Sequence, residues 1–326
     1  MQPPLNDVLP NKMPQKTIQS VVSLDGLGVH SGECINLSIY PAAAGSGITF
    51  VRTDVKDKNN VVPARWDRVV DTHFCTCIAN EAGVHVRTIE HIMAALYACE
   101  IDNARLEVSG TEVPIVDGSS APFVHLIEKV GVQEQSAPRR VIEVLKSVTV
   151  HGDAIGGNDR RYVTFHPANH FSAAATHEFD GCADLLPQNY IYEGNVATFK
   201  AQIMRARTFG FMQDVEKLWS SGLAKGASLD NAVVIDGSRV LNKEGFRYPN
   251  ECVRHKILDA VGDLYLAGAP IQGRYEGLQC GHGLNNQLLR AFFADASAWR
   301  LHTFESDSEA IHFFAANIPT KAAVAC

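Results

Sequence analysis

A helix, a strand and a second helix follow one another once in each half of the chain, and this repeat constrains the fold more than any other feature. In each half a histidine lies near the start of the first helix. The second helix begins 28 residues later, near Ser119 after His91 and near Gly283 after His255. Short alternating runs, typical of antiparallel strands, precede the helices. We therefore expect an α+β fold of two similar domains, each a mostly antiparallel sheet layered with two helices.

Polar segments predict where these domains begin and end. Residues 1–16 contain several prolines and no apolar period, which predicts a flexible leader. The polar residues 135–140 predict a linker, so the domains would span 17–134 and 141–326.

Hydrophobic periodicity locates the individual elements. In the first half Thr88 is expected to cap a helix, and a second helix is expected to open at Asp117–Ser120. The strands of the second half are predicted at 141–150, 161–166, 172–179, 232–235 and 271–275, and its helices at 215–222, 250–268 and 284–295.

Composition excludes several classes of protein. The 326 residues carry a net charge of −7, whereas nucleic-acid binding needs a basic face. No apolar run approaches the roughly 18 residues of a membrane-spanning helix, and residues 1–16 do not have the apolar region expected of a signal peptide. The eight cysteines include no CxxC pair, which indicates free thiols in a reducing cytoplasm. Cys75 and Cys77 are expected to lie on one face of a strand.

The long helix of the second half carries the clearest chemical signal. His255, Asp259 and Asp263 are spaced i, i+4 and i+8, so their side chains lie one turn apart on one stripe. Imidazole and carboxylate groups at this spacing can converge on one metal ion. A solvated helix face with a local His–Asp pair explains the same spacing.

Two other histidines admit two interpretations each. Glu90 and His91 adjoin at a helix start, where they suit a general base and a metal ligand, or a favourable helix-end charge and a packed histidine. His282 lies between two glycines, which suits either a side chain that approaches a ligand or an incidental loop histidine.

Taken together in this order, the motifs resemble one family closely. The resemblance extends from about Gln15 to Phe304 and is to the UDP-3-O-acyl-N-acetylglucosamine deacetylase (LpxC) family. Its members are zinc amidases of lipid A synthesis, with the active site between two α+β domains. The matching runs are TIEHIMAAL (88–96), IDNARLEV (101–108), PIVDGSSAPFV (114–124), RARTFGF (205–211), RHKILDAVGDL (254–264) and GHGLNN (281–286).

The resemblance implies a role for each site residue. One catalytic Zn²⁺ would be bound by His91, His255 and Asp259, which leaves a coordination position for water. Glu90 would be the general base. The remaining implied roles are a protonated His282 paired with Asp263, an oxyanion-binding hydroxyl on Thr208, and a charge on Lys256 near the substrate.

The resemblance also implies how the substrate binds. An insert near 209–222 would form an acyl-chain channel, with Phe209 and Phe211 at its start, although an ordinary amphipathic helix fits the same residues. Phe179 would stack on the uracil, in a place where relatives are expected to have Phe-x-His-Pro. A cytoplasmic monomer acting on a UDP-linked acylated amino sugar is expected, with transient membrane-surface contact at most. The alternative is a non-catalytic protein that binds nucleotide sugars.

Overall fold

The computed structural model describes residues 13–152, 160–179 and 186–303. The fold is α+β, as predicted. The elements of the first half are β1 (Pro14–Ile18), β2 (Val22–Leu27), β3 (Cys34–Pro41), β4 (Ile48–Arg52), β5 (Val61–Pro63), β6 (Val69–Asp71), β7 (Cys77–Ala79), β8 (His85–Val86), α1 (Glu90–Ala98), β9 (Ala104–Val108) and α2 (Ala121–Val130), with a 3-10 turn at Trp66–Arg68.

The second half contains more short elements. They are β10 (Val132–Pro138), β11 (Arg140–Val144), β12 (Val148–His151), β13 (Tyr162–His166), β14 (Ser172–His177), β15 (Gln188–Tyr192), α3 (Val196–Gln202), β16 (Phe209–Phe211), α4 (Met212–Ser220), β17 (Val233–Asp236), β18 (Arg239–Val240), α5 (Glu251–Tyr265), β19 (Ile271–Gln272), β20 (Arg274–Leu278), α6 (His282–Ala294) and β21 (Trp299–Thr303).

The two halves contain five-stranded sheets of identical topology. The strand orders are β2-β3-β9-β4-β5 and β12-β13-β20-β14-β15. In each sheet three neighbouring pairs are antiparallel, and the one parallel pair, β4 with β9 or β14 with β20, occupies the same position. In each half the central strand lies in sequence between two helices, β9 between α1 and α2 and β20 between α5 and α6. This correspondence confirms the predicted similarity of the two halves.

The helices α1 and α5 pack against each other in the interior. Every residue of α1 except Tyr97 is buried, as expected for a helix that is largely apolar on all sides. One apolar core includes Ile92 and Leu96 of α1 together with Val261 and Leu264 of α5. Because α1 belongs to the first half and α5 to the second, residues from both halves meet where the helices touch.

Several local predictions are corrected by the structure. Thr88 does not cap α1, because the N-cap is Ile89, and Thr88 has a left-handed φ of 56°. The segment 141–150 contains two strands, β11 and β12, rather than one. Elements β15 and α3 lack a strong period and were not predicted.

Strands also occupy parts of the predicted leader and linker. Residues 14–16 belong to β1, and most of 135–140 belongs to β10 and β11. Strands β1 and β10 pair antiparallel, and exposed polar side chains on β10 explain its linker-like composition. Residues 1–12 of the leader and 304–326 of the second predicted domain lie outside the described residues. No helix in the described ranges is long and apolar enough to cross a membrane.

Candidate active site

A close approach of two helices brings the first set of site residues together. A Cβ on Gly262 of α5 would lie 2.0 Å from the carbonyl oxygen of Glu90, so only glycine permits this contact. Glu90 and His91 at the start of α1 therefore lie against Asp259 and Asp263, one turn apart on α5.

His91, His255 and Asp259 form a buried cluster of potential metal ligands. One nitrogen or oxygen atom from each lies within 4.8 Å of the other two. The Oδ1 atom of Asp259 lies 3.3 Å from Nε2 of His255 and 3.6 Å from Nε2 of His91. Two imidazoles and one carboxylate are a ligand set that zinc accepts in catalytic sites.

Three features show that this donor set fits a metal ion. Oδ1 of Asp259 is buried and has no hydrogen-bond partner among the described residues, although an unpaired buried carboxylate oxygen is costly. Nδ1 of His255 lies 3.0 Å from the carbonyl oxygen of Ala206, which orients the ring with Nε2 toward the cluster. Burial lowers the pKa of His255 to about 3, so its imidazole is neutral and able to ligate.

A second group of titratable residues lies beside the cluster. Nδ1 of His282 lies 2.9 Å from Oδ2 of Asp263, and its Nε2 lies 4.0 Å from Oε1 of Glu90. Burial lowers the pKa of His282, but the charges of Asp263 and Glu90 outweigh burial and raise it to about 9. His282 is thus an imidazolium at neutral pH. Burial raises the pKa of Glu90, against the attraction of His282 and His91.

His282 is the first residue of α6 rather than part of a loop. The positive end of a helix disfavours an imidazolium. The two neighbouring carboxylates therefore account for its charge, because they are the groups close enough to stabilise it.

Thr208 and Lys256 face the same space. Thr208 is held by backbone hydrogen bonds, from its N–H to Gly118 and from the N–H of Val233 to its carbonyl. Nζ of Lys256 donates to Oδ2 of Asp259 at 3.3 Å and lies 5.4 Å from the ring centroid of Phe209. Both residues line the cavity that opens from the cluster.

A cavity of about 460 Å³ extends from the cluster along α4. One end is polar and contains Glu90, His91, His255, Asp259 and His282. The remainder is mostly apolar, and its lining includes Phe209, Phe211, Met212, Val215, Leu218, Trp219, Val234 and Leu241. The cavity is therefore suited to a ligand with one polar reacting group and a long apolar chain.

Comparison with known proteins agrees with this geometry. Residues 15–294 match the sequence model of the family LpxC, UDP-3-O-acyl N-acetylglycosamine deacetylase. The chain belongs to the LpxC family.

Similar relatives cover nearly the whole chain. A UDP-3-O-acyl-N-acetylglucosamine deacetylase of Phenylobacterium zucineum is 46% identical over 90% of this chain and 98% of its own length. The enzymes of the same name from Pasteurella multocida and Vibrio cholerae are 42% and 44% identical, over 93% and 90% of this chain and 97% and 94% of their own lengths.

The structure does not place all predicted LpxC-type residues at the cavity. Phe179 is 8% exposed and packs in a small apolar cluster with Val233, Ile235 and Cys252. Its ring lies edge-on to His177 and Phe211. The residues that follow it, 180–185, lie outside the described residues. A role for Phe179 in stacking on uracil stays a prediction.

Sequence reasoning missed several residues that support the site. The backbone N–H of Thr76 donates to Glu90, while its hydroxyl and the Asn285 amide donate to Asp263. Arg207 is fully buried and paired with Glu251 at the start of α5, which anchors the segment that carries Thr208. These contacts join residues far apart in sequence, so no local spacing reveals them.

His30 was also missed, because it lies in a glycine-rich turn. It lines the cavity, and neither of its ring nitrogens has a partner within the described ranges. Burial lowers its pKa, which keeps the ring neutral.

Proposed function

We propose that the protein hydrolyses the N-acetyl group of UDP-3-O-(3-hydroxyacyl)-N-acetylglucosamine and releases acetate and the free 2-amine, the committed step of lipid A synthesis. The observation that carries the proposal is the position of the ligand cluster, with Glu90 and His282 beside it, at the polar end of an apolar cavity. Family membership supports the same reaction.

The ligand cluster supports one zinc ion as the cofactor. His91, His255 and Asp259 would hold it, and three protein ligands leave a position open, as catalytic zinc sites require. When bound, zinc supplies Lewis acidity, which activates water and polarises an amide carbonyl near neutral pH.

Glu90 is the general base in this proposal. It adjoins His91, and its Oε2 accepts a hydrogen bond from the backbone of Thr76, which leaves Oε1 directed toward His282. A buried carboxylate with a raised pKa is a stronger base than an exposed one, and so it can take a proton from the attacking water.

His282 is the general acid. An imidazolium with a pKa near 9 keeps its proton at neutral pH and can give it to the departing amine. Asp263 orients the ring and stabilises its charge. Thr208 would donate its hydroxyl to the oxyanion, and Lys256 would add positive charge at the same end of the cavity.

The apolar part of the cavity would bind the acyl chain. Its lining by α4, Phe209 and Phe211 supports the predicted channel, and Phe179 would contribute to the nucleotide end. The cysteines in the described residues are free thiols, which supports a reducing cytoplasm as the compartment. We also propose that the protein acts as a monomer, since each chain contains a full set of site residues.

Incubation with UDP-3-O-acyl-N-acetylglucosamine tests the function. We expect one acetate and one free amine for each substrate consumed, as measured by mass spectrometry, and no reaction in the presence of a chelator. Binding of the substrate without any turnover in the zinc-loaded protein would instead indicate a non-catalytic nucleotide-sugar binder.

A further inference from the structure

Thr76 lies between the two carboxylates that flank His282 and contacts both. It immediately precedes β7, and its side chain is 2% exposed. Its backbone N–H donates to Oε2 of Glu90 at 3.0 Å, and its hydroxyl donates to Oδ1 of Asp263 at 2.5 Å. A single residue from the first half of the chain thus joins an acidic group of α1 to one of α5.

We propose that Thr76 is a positioning residue that holds Glu90 and Asp263 in a fixed relation and thereby fixes the general acid His282. The proposal rests on the proposed function, since it assigns Thr76 a part in that reaction. It adds a residue that acts through others and does not itself line the cavity.

Hydrogen bonds hold both oxygens of the Asp263 carboxylate. Its Oδ1 accepts from the Thr76 hydroxyl, and its Oδ2 accepts from Asn285 at 2.8 Å and lies 2.9 Å from Nδ1 of His282. Asn285 is in turn fixed by the hydroxyl of Tyr275 at 2.6 Å. Separate donors hold the two oxygens. Without the Thr76 bond, Asn285 would still keep Oδ2 beside His282, while Oδ1 would lose the donor that fixes it and offsets its charge.

The carboxylates of Glu90 and Asp263 pack close together beside His282. Gly262 brings the backbone of Glu90 against α5, so two acidic side chains share a buried space. Like charges in such a space repel and tend to move apart. Donors directed at both groups from Thr76 oppose this separation, because each hydrogen bond holds its carboxylate in place.

The two cysteines that flank Thr76 do not share a strand face, although the sequence predicted that they would. Both are buried, but only Cys77 belongs to β7, while Cys75 lies in the bend that precedes it.

The charge on His282 gives a readout specific to this role. The charged or titratable groups that face it are Asp263 and Asp259 of α5 and Glu90 of α1. The Thr76 hydroxyl offsets part of the negative field of Asp263. Without it, Asp263 attracts the imidazolium more strongly, so the pKa of His282 rises. Loss of the packing contacts of the Thr76 side chain alone would not raise the pKa of His282.

The experiment compares Thr76→Val, which keeps the shape and removes the hydroxyl, with Thr76→Ser, which keeps the hydroxyl. The His282 pKa is followed by NMR in zinc-loaded protein with labelled histidine, and its signal is assigned by its loss in His282→Gln. In Thr76→Val we expect a rise of roughly half a pH unit, and in Thr76→Ser the wild-type value. If Thr76→Val does not fold, Thr76→Cys, with its weak S–H donor, should give a smaller rise.

Kinetics supply the second readout. In Thr76→Val we expect kcat to fall about 10- to 100-fold with KM unchanged, since outer residues that orient a site have effects of that size. Cys77→Ala is the matched control, because it truncates a neighbouring buried side chain that contacts neither carboxylate. It should leave kcat and the His282 pKa unchanged.

The outcomes separate this proposal from the proposed function. An His282 pKa that stays in place or falls in Thr76→Val overturns the positioning role, whatever happens to kcat. If wild-type protein releases no acetate, the proposed function fails, while the NMR comparison still decides whether Thr76 controls His282.

Discussion

Gly262 contacts the carbonyl oxygen of Glu90 so closely that a Cβ at this position would lie 2.0 Å away. The contact joins α5 of the second half to α1 of the first. It also brings His91 close to Asp259, because His91 follows Glu90 on α1 and Asp259 lies about one turn before Gly262 on α5. The packing of α1 against α5 therefore also brings the metal ligands together.

Substitution of Gly262 tests this link. In Gly262→Ala the added methyl group must separate α1 from α5, and we expect the free energy of unfolding to fall by about 1–3 kcal/mol, as is typical of an overpacked core. Because His91 moves with α1, affinity for zinc should fall as well. Denaturant unfolding and equilibrium dialysis measure the two effects. A variant with wild-type stability and zinc affinity would show that the helices tolerate separation.

Removal of the general base should slow turnover strongly without loss of the fold. Glu90→Gln keeps the size of the side chain, and we expect it to fold and to retain zinc. Its rate of acetate release should fall about 10²- to 10⁴-fold, which is the usual contribution of a positioned base. Metal analysis and steady-state kinetics check both statements. Wild-type turnover in this variant would exclude Glu90 as the base.

The pH dependence of activity should report the charge on His282. The pKa of His282 is raised to about 9, so the imidazolium is present below that pH and is lost above it. Activity should therefore decline as the pH rises through about 9. In Asp263→Asn the imidazolium loses the carboxylate that raises its pKa most, so the decline should begin at a lower pH, in a profile of kcat against pH. An unchanged profile would mean that another group sets the alkaline limit.

A charge in the channel should weaken binding of the acyl chain alone. Leu218 of α4 lines the apolar part of the cavity, and we expect Leu218→Glu to raise KM about tenfold for a long-chain substrate, through the loss of about 1–2 kcal/mol of apolar contact. Gln213→Glu, at an exposed position of the same helix, is the control. A substrate analogue without the chain should be unaffected. Equal effects on both substrates would place the chain elsewhere.

Local spacing made parts of the site predictable from sequence. His255 and Asp259 are one helical turn apart, so their convergence follows from helix geometry once the helix is predicted. The pairing of His91 with them does not follow in this way, because α1 and α5 meet only through tertiary packing. The local sequence left His91 as either a metal ligand or a packed histidine, and the family resemblance favoured the ligand.

Other features had no local signal. Thr76 and Asp263 are 187 residues apart, and only the folded chain shows that they share a hydrogen bond. Strand β10 was interpreted as part of a linker because its side chains are mostly polar and exposed, while its backbone pairs with β1. Because backbone hydrogen bonds do not depend on the side chains, the composition of β10 does not indicate this pairing.

The central claim is that His91, His255 and Asp259 hold the single zinc ion on which hydrolysis depends. Titration of zinc into chelator-treated protein, with acetate release as the readout, tests this claim most directly. We expect activity to rise linearly and to saturate at one zinc per chain, both in wild type and in His125→Ala, which alters an exposed histidine on α2. His91→Ala should regain little activity and little bound zinc. Recovery of wild-type activity at one equivalent in His91→Ala would contradict the claim.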